Sequence, residues 1–464
     1  MQSVNVKNEF KQLAFLSVPL IISGLIEFSS GFFGTYFLGH VSTQALAAGS
    51  LMSNVFIALM VFPWGLLNAI SVIVSQHHGA KQDEAIVQTV KSALLLALAL
   101  SPLAILILLT APLLLQLLHQ DPNIIAMMIP GLHAYAWGML PDLIILTLLQ
   151  YVMGLGHARL NMLFSLFWAP CNMLFVAAFI FGLWHFPKLG VAGIGWGFSV
   201  SSWLAMLVIV SYLGFSARYR KHRDYFKTII FHSSDETDSD RKERNLKSMK
   251  HILTIGVPIG GTYLVDLVYF LIYSLMMGAL GVTLLAAHQI VMQYFWMASV
   301  GCFAIGQAIS VRVGHSIGAN AHERIAPITS LGIVFMLFIM LGIACTYWFL
   351  PEQLVAFDLS AQPSSELLQF ARTFFLIAGF SLLLQAGWIS LLSTLRGMGD
   401  THALLILSII AEFLVGLPLA YLLAFHTPLY AKGIWLATLL DSIVFIGLAT
   451  WRIRYKLATW NPAT

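Results

Sequence analysis

Five carboxylic acids stand inside strongly apolar stretches of the chain: Glu27, Asp142, Asp266, Glu412 and Asp441. A charge near the centre of a bilayer costs at least about 2.5–3.5 kcal/mol, so each acid needs a compensating partner. A carboxyl group there can take up and release a proton. With a second acid and some carbonyl or amide oxygens it can instead hold a sodium ion. Set among aromatic rings it can balance an organic cation, the rings adding about 0.5–2 kcal/mol of cation–π attraction. Enzymatic chemistry has no comparable foothold, since neither HExxH nor GxSxG is placed for catalysis. The three cysteines, Cys171, Cys302 and Cys345, all lie in apolar runs without a CxxC or Cys/His cluster, so neither a disulfide framework nor a metal site is expected.

The elements that carry these acids are membrane helices. Of 464 residues 59% are hydrophobic and only 9% charged, against roughly 25% charged in a soluble protein. Mean hydropathy is +0.85. The apolar runs are continuous and long enough to cross about 30 Å of hydrocarbon as helices, and they do not alternate as barrel strands do. Twelve are expected, at 13–38, 46–74, 92–118, 130–152, 160–183, 191–215, 252–280, 284–311, 328–350, 367–395, 403–425 and 433–451. With both termini inside, almost every Lys and Arg falls on the cytoplasmic side and only Lys188, Arg372 and Lys432 remain outside, as the positive-inside rule asks. The polar start, Met1 to Gln12, runs straight into a full-length span, which argues against a cleaved signal peptide. The net charge of +4 reads as topology and not as a nucleic-acid footprint.

The chain is written twice. Shifted by 239 positions, Leu13–Ile86 lies on Ile252–Ile325 without a gap, with Val18-Pro19 on Val257-Pro258 and Ala69-Ile70-Ser71-Val72 on Ala308-Ile309-Ser310-Val311. Glu27 meets Asp266, each eight residues after a proline. The likeness continues with Met153-Gly154-Leu155-Gly156 against Arg396-Gly397-Met398-Gly399 and Trp196 against Trp435. Six spans per copy start on the same side, so the expected fold is all-α: two six-helix lobes related by a pseudo-two-fold axis along the membrane normal, as in parallel-repeat secondary transporters. The expected domains are 1–215, a solvated and partly disordered cytoplasmic linker at 216–250, and 251–464.

Neighbours sharpen the roles. Leu20, Ser23, Gly24, Gly31 and Gly34 share the helical face of Glu27, which suits a cavity wall or close packing. The plainer alternative is a protonated Glu27 bonded to a backbone carbonyl. Asp142 falls on Gln385 in the repeat, so the N-terminal lobe has two acids where the other has an acid and an amide. That asymmetry makes Glu27 and Asp142 the expected ion-coupling pair. Asp266 has Tyr263, Tyr269, Phe270 and Tyr273 within two turns, which suits a cationic amphipathic ligand; an acid bonded to a tyrosine hydroxyl is the alternative. Glu412, Asp441 and the polar pair His288-Gln289 are further candidates, with packing the plainer role for the pair, while Phe295, Trp296 and Met297 read as core or lipid-facing.

Ala286-Ala287-His288-Gln289, Arg312-Val313-Gly314-His315 with Gly318, Leu395-Arg396-Gly397-Met398-Gly399-Asp400-Thr401 and Lys432-Gly433-Ile434-Trp435 resemble the multidrug and toxic compound extrusion (MATE) family. The resemblance runs from Pro19 to Trp435. It implies twelve helices around a central cavity, and export of cationic or amphipathic drugs by alternating access in exchange for protons or sodium ions. No cofactor is implied beyond the coupling ion. The expected setting is the inner membrane and its lipid, with the protein a monomer. Asp266 corresponds to the family's seventh-helix acid, and Asn172 to an asparagine of the N-lobe polar cluster, joining the ion-coupling set; Gln385 joins the substrate set. The family's first-helix aspartate falls on Gly34, its tenth-helix aspartate on Gln385 and a further asparagine on Trp168. Glu27, two turns before Gly34, is the expected substitute. The alternative function is a flippase for a lipid-linked oligosaccharide or other lipid, disfavoured because the buried charges are acidic.

Overall fold

A computed structural model describes residues 6–231, 238–358 and 364–460. The described chain is helical: α1 Val6–Gly39, α2 Thr43–Leu67, α3 Ala69–Gly79, α4 Asp83–Leu117, α5 Pro122–Gly154, α6 Ala158–Phe181, α7 Ala192–Phe215, α8 Arg220–Phe231, α9 Asp238–Leu280, α10 Val282–Gly318, α11 Ile325–Phe349, α12 Pro351–Asp358, α13 Ser365–Gly397, α14 Thr401–Ser408, a π-helix at Ile409–Gly416, α15 Leu417–Phe425 and α16 Ala431–Thr459. Twelve spans among these residues are long and apolar enough to cross a membrane.

Helices outrun the apolar runs that foretold them. The span expected from 92 begins at Asp83, whose acid and that of Glu84 favour the positive end of a helix dipole. The span expected from 252 begins at Asp238, because its charged lead-in is built of helix formers such as Lys242, Glu243, Leu246 and Met249. Much of the segment 216–250 is therefore helix, with Asn245 Oδ1 accepting from Gln88 Nε2 at 2.9 Å; residues 232–237, within the stretch expected to be partly disordered, lie outside the described residues. Two spans are interrupted. After Pro63 the second breaks at Asn68, whose side-chain amide donates to the Trp64 carbonyl at 3.2 Å. In the eleventh, Pro418 has no N–H to continue the ladder, and the turn before it widens into the π-helix, where Leu417 N–H reaches back to the Glu412 carbonyl.

Two compact units result. The first is Ile22–Gly260; the second joins Met1–Ile21 to Gly261–Thr464. Both α1 and α9 thus contribute residues to each unit. In the first, α5 packs against α2, α3, α4 and α7. Small residues allow the approach of α5 and α7: a Cβ on Gly195 would lie 2.3 Å from the Gly131 carbonyl oxygen. Phe56 and Tyr135 stack at 4.2 Å within that core. In the second, α13 packs against α10, α11 and α16. There Arg312 and Glu9 pair at 2.5 Å, binding the start of α1 to α10.

Candidate functional site

In the first unit, a band of buried hydroxyls and one amide joins α1, α6 and α7. Ser165 Oγ donates to Glu27 Oε1 at 2.5 Å and Ser23 Oγ to the same oxygen at 3.3 Å, the two hydroxyls being 2.5 Å apart. Further along, Ser30 Oγ donates to Asn172 Oδ1 at 3.3 Å and Asn172 Nδ2 to Ser201 Oγ at 3.0 Å. Ser23, Ser30, Ser165, Asn172 and Ser201 are buried, whereas Glu27 itself is exposed. The partner of Glu27 is thus serine hydroxyl and not a backbone carbonyl. Its helix remains open on this face: a Cβ on Gly31 would meet nothing within 4 Å, and one on Gly34 only Ile194 Cδ1 at 3.9 Å. Asp142 has a different partner, Trp64 Nε1, which donates to its Oδ2 at 3.4 Å.

The second unit gathers three acids. Asp266 on α9 and Glu412 on the π-helix face one cavity together with Asp441 on α16. Tyr269 donates to Asp441 on α16 and stands 2.6 Å from the Tyr273 hydroxyl, which donates to the Gly416 carbonyl at 3.4 Å. Ser442 Oγ donates to Asp441 Oδ1 at 3.2 Å. The tyrosine hydroxyl expected for Asp266 therefore serves Asp441. Gly416 is required by proximity: a Cβ there would lie 2.8 Å from Asp441 Oδ2 and 3.1 Å from the Tyr269 hydroxyl.

Asp266, Glu412, Asp441 and the two tyrosines line a cavity with about 100 Å³ of water-sized space. Its walls are aromatic, including Phe295, Trp296, Trp388 and Trp435. Gln385, paired with Ser299 at 2.9 Å, faces the same space, as does buried His288. Tyr263 lies apart beneath Arg396, whose guanidinium carbon is 5.5 Å from the ring centroid. Gln289 is exposed and does not line the cavity. Phe295 and Trp296 are cavity wall, while Met297 is exposed. Sequence reading passed over Ser165, Ser201, Trp64, Thr438 and Ser442, because serine, threonine and tryptophan in apolar helices give no periodic signal. Among the described residues no group of three His, Cys, Asp or Glu side chains is placed to hold a metal ion. A hard monovalent cation would instead draw on hydroxyl and amide oxygens such as those around Glu27 and Asn172.

Twelve membrane-length helices with acids held in two polar sites define a multi-pass membrane protein of the transporter class. The MatE family pattern matches residues 19–178 and 258–422. The chain belongs to the MatE family, whose members are transporters and not enzymes. It is 29% identical over 451 residues to a probable multidrug resistance protein NorM of Synechocystis, covering 96% of this chain and 93% of that one. It is also 29% identical to the corresponding protein of Pseudomonas putida, covering 92% and 90%. In fold it matches the Vibrio cholerae MATE transporter VcmN in its bent form, with a TM-score of 0.84 at 18% identity over 98% of both chains. A MOP superfamily transporter from Pyrococcus furiosus matches at 0.84 and 17% identity, over 99% of this chain and 98% of that one.

Proposed function

We propose that the protein exports cationic or amphipathic drugs across the inner membrane by alternating access, in exchange for protons or sodium ions. The observation that carries this reading is the second unit's cavity, where Asp266, Glu412 and Asp441 meet aromatic walls inside apolar helices. The carboxyl groups of Asp266, Glu412 and Asp441 on one cavity wall offer the negative charge that a monovalent organic cation needs. Rings alongside add cation–π attraction. The Glu27 site supplies what a small ion needs: a carboxylate, two hydroxyls and open space on the helix face. Asp142 and Asn172 act with it, and Glu27 stands in for an acid at Gly34.

For exchange to follow, the ion must bind one conformation better than the other, since equal affinity shifts nothing. The sequence halves 1–215 and 251–464 serve as the two lobes, with 216–250 as a cytoplasmic connector and both termini in the cytoplasm; the working unit is a monomer. Relatives named as multidrug resistance proteins support the choice of passenger. The acidic cavity supports it over a flippase, which would need basic groups for a diphosphate. The test is efflux of a fluorescent organic cation from vesicles, with sodium and pH gradients imposed separately. Efflux driven by one gradient supports the reading, and no efflux under either overturns it.

A further inference from the structure

Three basic residues close the last turns of α16, and a carboxylate answers only two of them. Arg452 Nε donates to Asp400 Oδ2 at 2.8 Å and its Nη2 to Oδ1 at 3.3 Å, while Lys456 Nζ stands 3.5 Å from Oδ2. Arg454 is exposed and has no carboxylate partner among the described residues. Helical spacing explains the split: 452 and 456 are one turn apart on the face that meets Asp400, and 454 lies on the opposite side. Trp451 and Tyr455, 62% and 52% exposed, flank Arg454, their rings 6.0 Å apart. These three residues line an open cleft with Gly447, Thr450 and Ala458. A Cβ on Gly447 would meet nothing within 4 Å, so the cleft is unobstructed there.

The helix packs inward through Phe445, Ala449 and Ile453, all buried, whereas Leu440 and Ile443 are exposed on the face of Gly447 and Trp451. That outward face changes along its length from aliphatic, through aromatic, to cationic. A phospholipid presents the same order, with acyl chains, then the interfacial level where Trp and Tyr settle, then phosphate. The planar guanidinium matches paired phosphate oxygens. Three cations against one carboxylate leave a positive surplus, which favours a lipid of net negative charge over a zwitterion carrying its own ammonium. We propose that this end of α16 binds an anionic phospholipid, with its phosphate on Arg454, its glycerol level at Trp451 and Tyr455, and an acyl chain along Gly447, Ile443 and Leu440. Under the 239-residue shift Trp451 falls on Tyr212 and Arg454 on Phe215. The repeat thus gives both units the aromatic level but this arginine only to the second.

Native mass spectrometry of the purified full-length protein tests this, with dioleoyl phosphatidylglycerol or dioleoyl phosphatidylcholine titrated into the detergent. Wild type should hold its first phosphatidylglycerol about fivefold more tightly than its first phosphatidylcholine, the effect of one basic group beside a lipid phosphate. Arg454→Gln should bring the two affinities within about twofold. Lys247→Gln, which removes an exposed charge from α9, should leave the preference unchanged. Equal affinities in wild type overturn the proposal, and that outcome needs no variant to fold. A preference that survives Arg454→Gln overturns it too, because the lipid then sits elsewhere. So does an equal loss of preference in Lys247→Gln, which would reduce the effect to net charge.

Discussion

The two units answer the same repeated helix differently. Under the 239-residue shift, Glu27 falls on Asp266, Ser30 on Tyr269, Gly31 on Phe270 and Gly34 on Tyr273. In the second unit the aromatic residues of α9 fill the space beside the acids, and their hydroxyls tie Asp441 and the Gly416 carbonyl into a network. In the first unit the small residues of α1 leave Glu27 exposed, with only serine hydroxyls on its carboxylate. An aromatic-walled acidic cavity suits a bulky organic cation, and an open acid with hydroxyls suits a proton or sodium ion. On the function proposed above, one duplicated scaffold serves two kinds of ligand, and side-chain volume at three aligned positions, Ser30 against Tyr269, Gly31 against Phe270 and Gly34 against Tyr273, is what separates them.

That division can be broken most sharply at the acids. Glu27→Gln should bring gradient-driven efflux down to background while the affinity for a labelled organic cation stays within about twofold, since the lost interaction is with the ion. Asp266→Asn should do the reverse in kind, weakening equilibrium binding about tenfold or more, as loss of a charged partner of about 1.5–3 kcal/mol implies. A smaller change tests the substitution of one acid for another. Because a side chain at Gly34 meets only Ile194 at 3.9 Å, Gly34→Asp in a Glu27→Gln background should restore a measurable part of efflux. Full inactivity of a folded double variant would show that the position of the acid on the helix is fixed. Gly416→Ala should disturb the Tyr269–Asp441 contact and lower substrate affinity several-fold, about 1 kcal/mol, with ion-driven steps of the first unit unaffected.

The smallest effect concerns a loop. His157, between α5 and α6, is pushed down to about 4 by burial first and then by the charge of Arg218 and nearby histidines. Its Nδ1 takes the Tyr219 hydroxyl at 2.9 Å. The folded protein therefore resists a proton that the unfolded chain accepts below about 6.5, and stability falls as pH drops from there toward 4. His157→Gln should flatten that decline, by about 1–2 °C in thermal midpoint for a chain of this size.

Much of this was legible in the sequence for a physical reason: membrane spans announce themselves by apolar length, and acids within them are too costly to be incidental. All five acids were visible. What linear spacing could not show was their grouping. Glu412 and Asp441, on separate helices, join Asp266, because the widened π turn and close-approaching Gly416 bring them together. The π-helix itself has only Pro418 as a clue. Charged helix and disordered linker share a composition, so the extent of α9 beyond the apolar run was also hidden. Serine partners of Glu27 come from α1 and α6, 142 residues apart, and only packing joins them.

Equilibrium binding of a labelled organic cation and its gradient-driven efflux, measured side by side on Glu27→Gln, test the division of labour most directly. The account predicts near wild-type binding with no coupled efflux. Lost binding, or efflux still driven by the ion gradient, would contradict it.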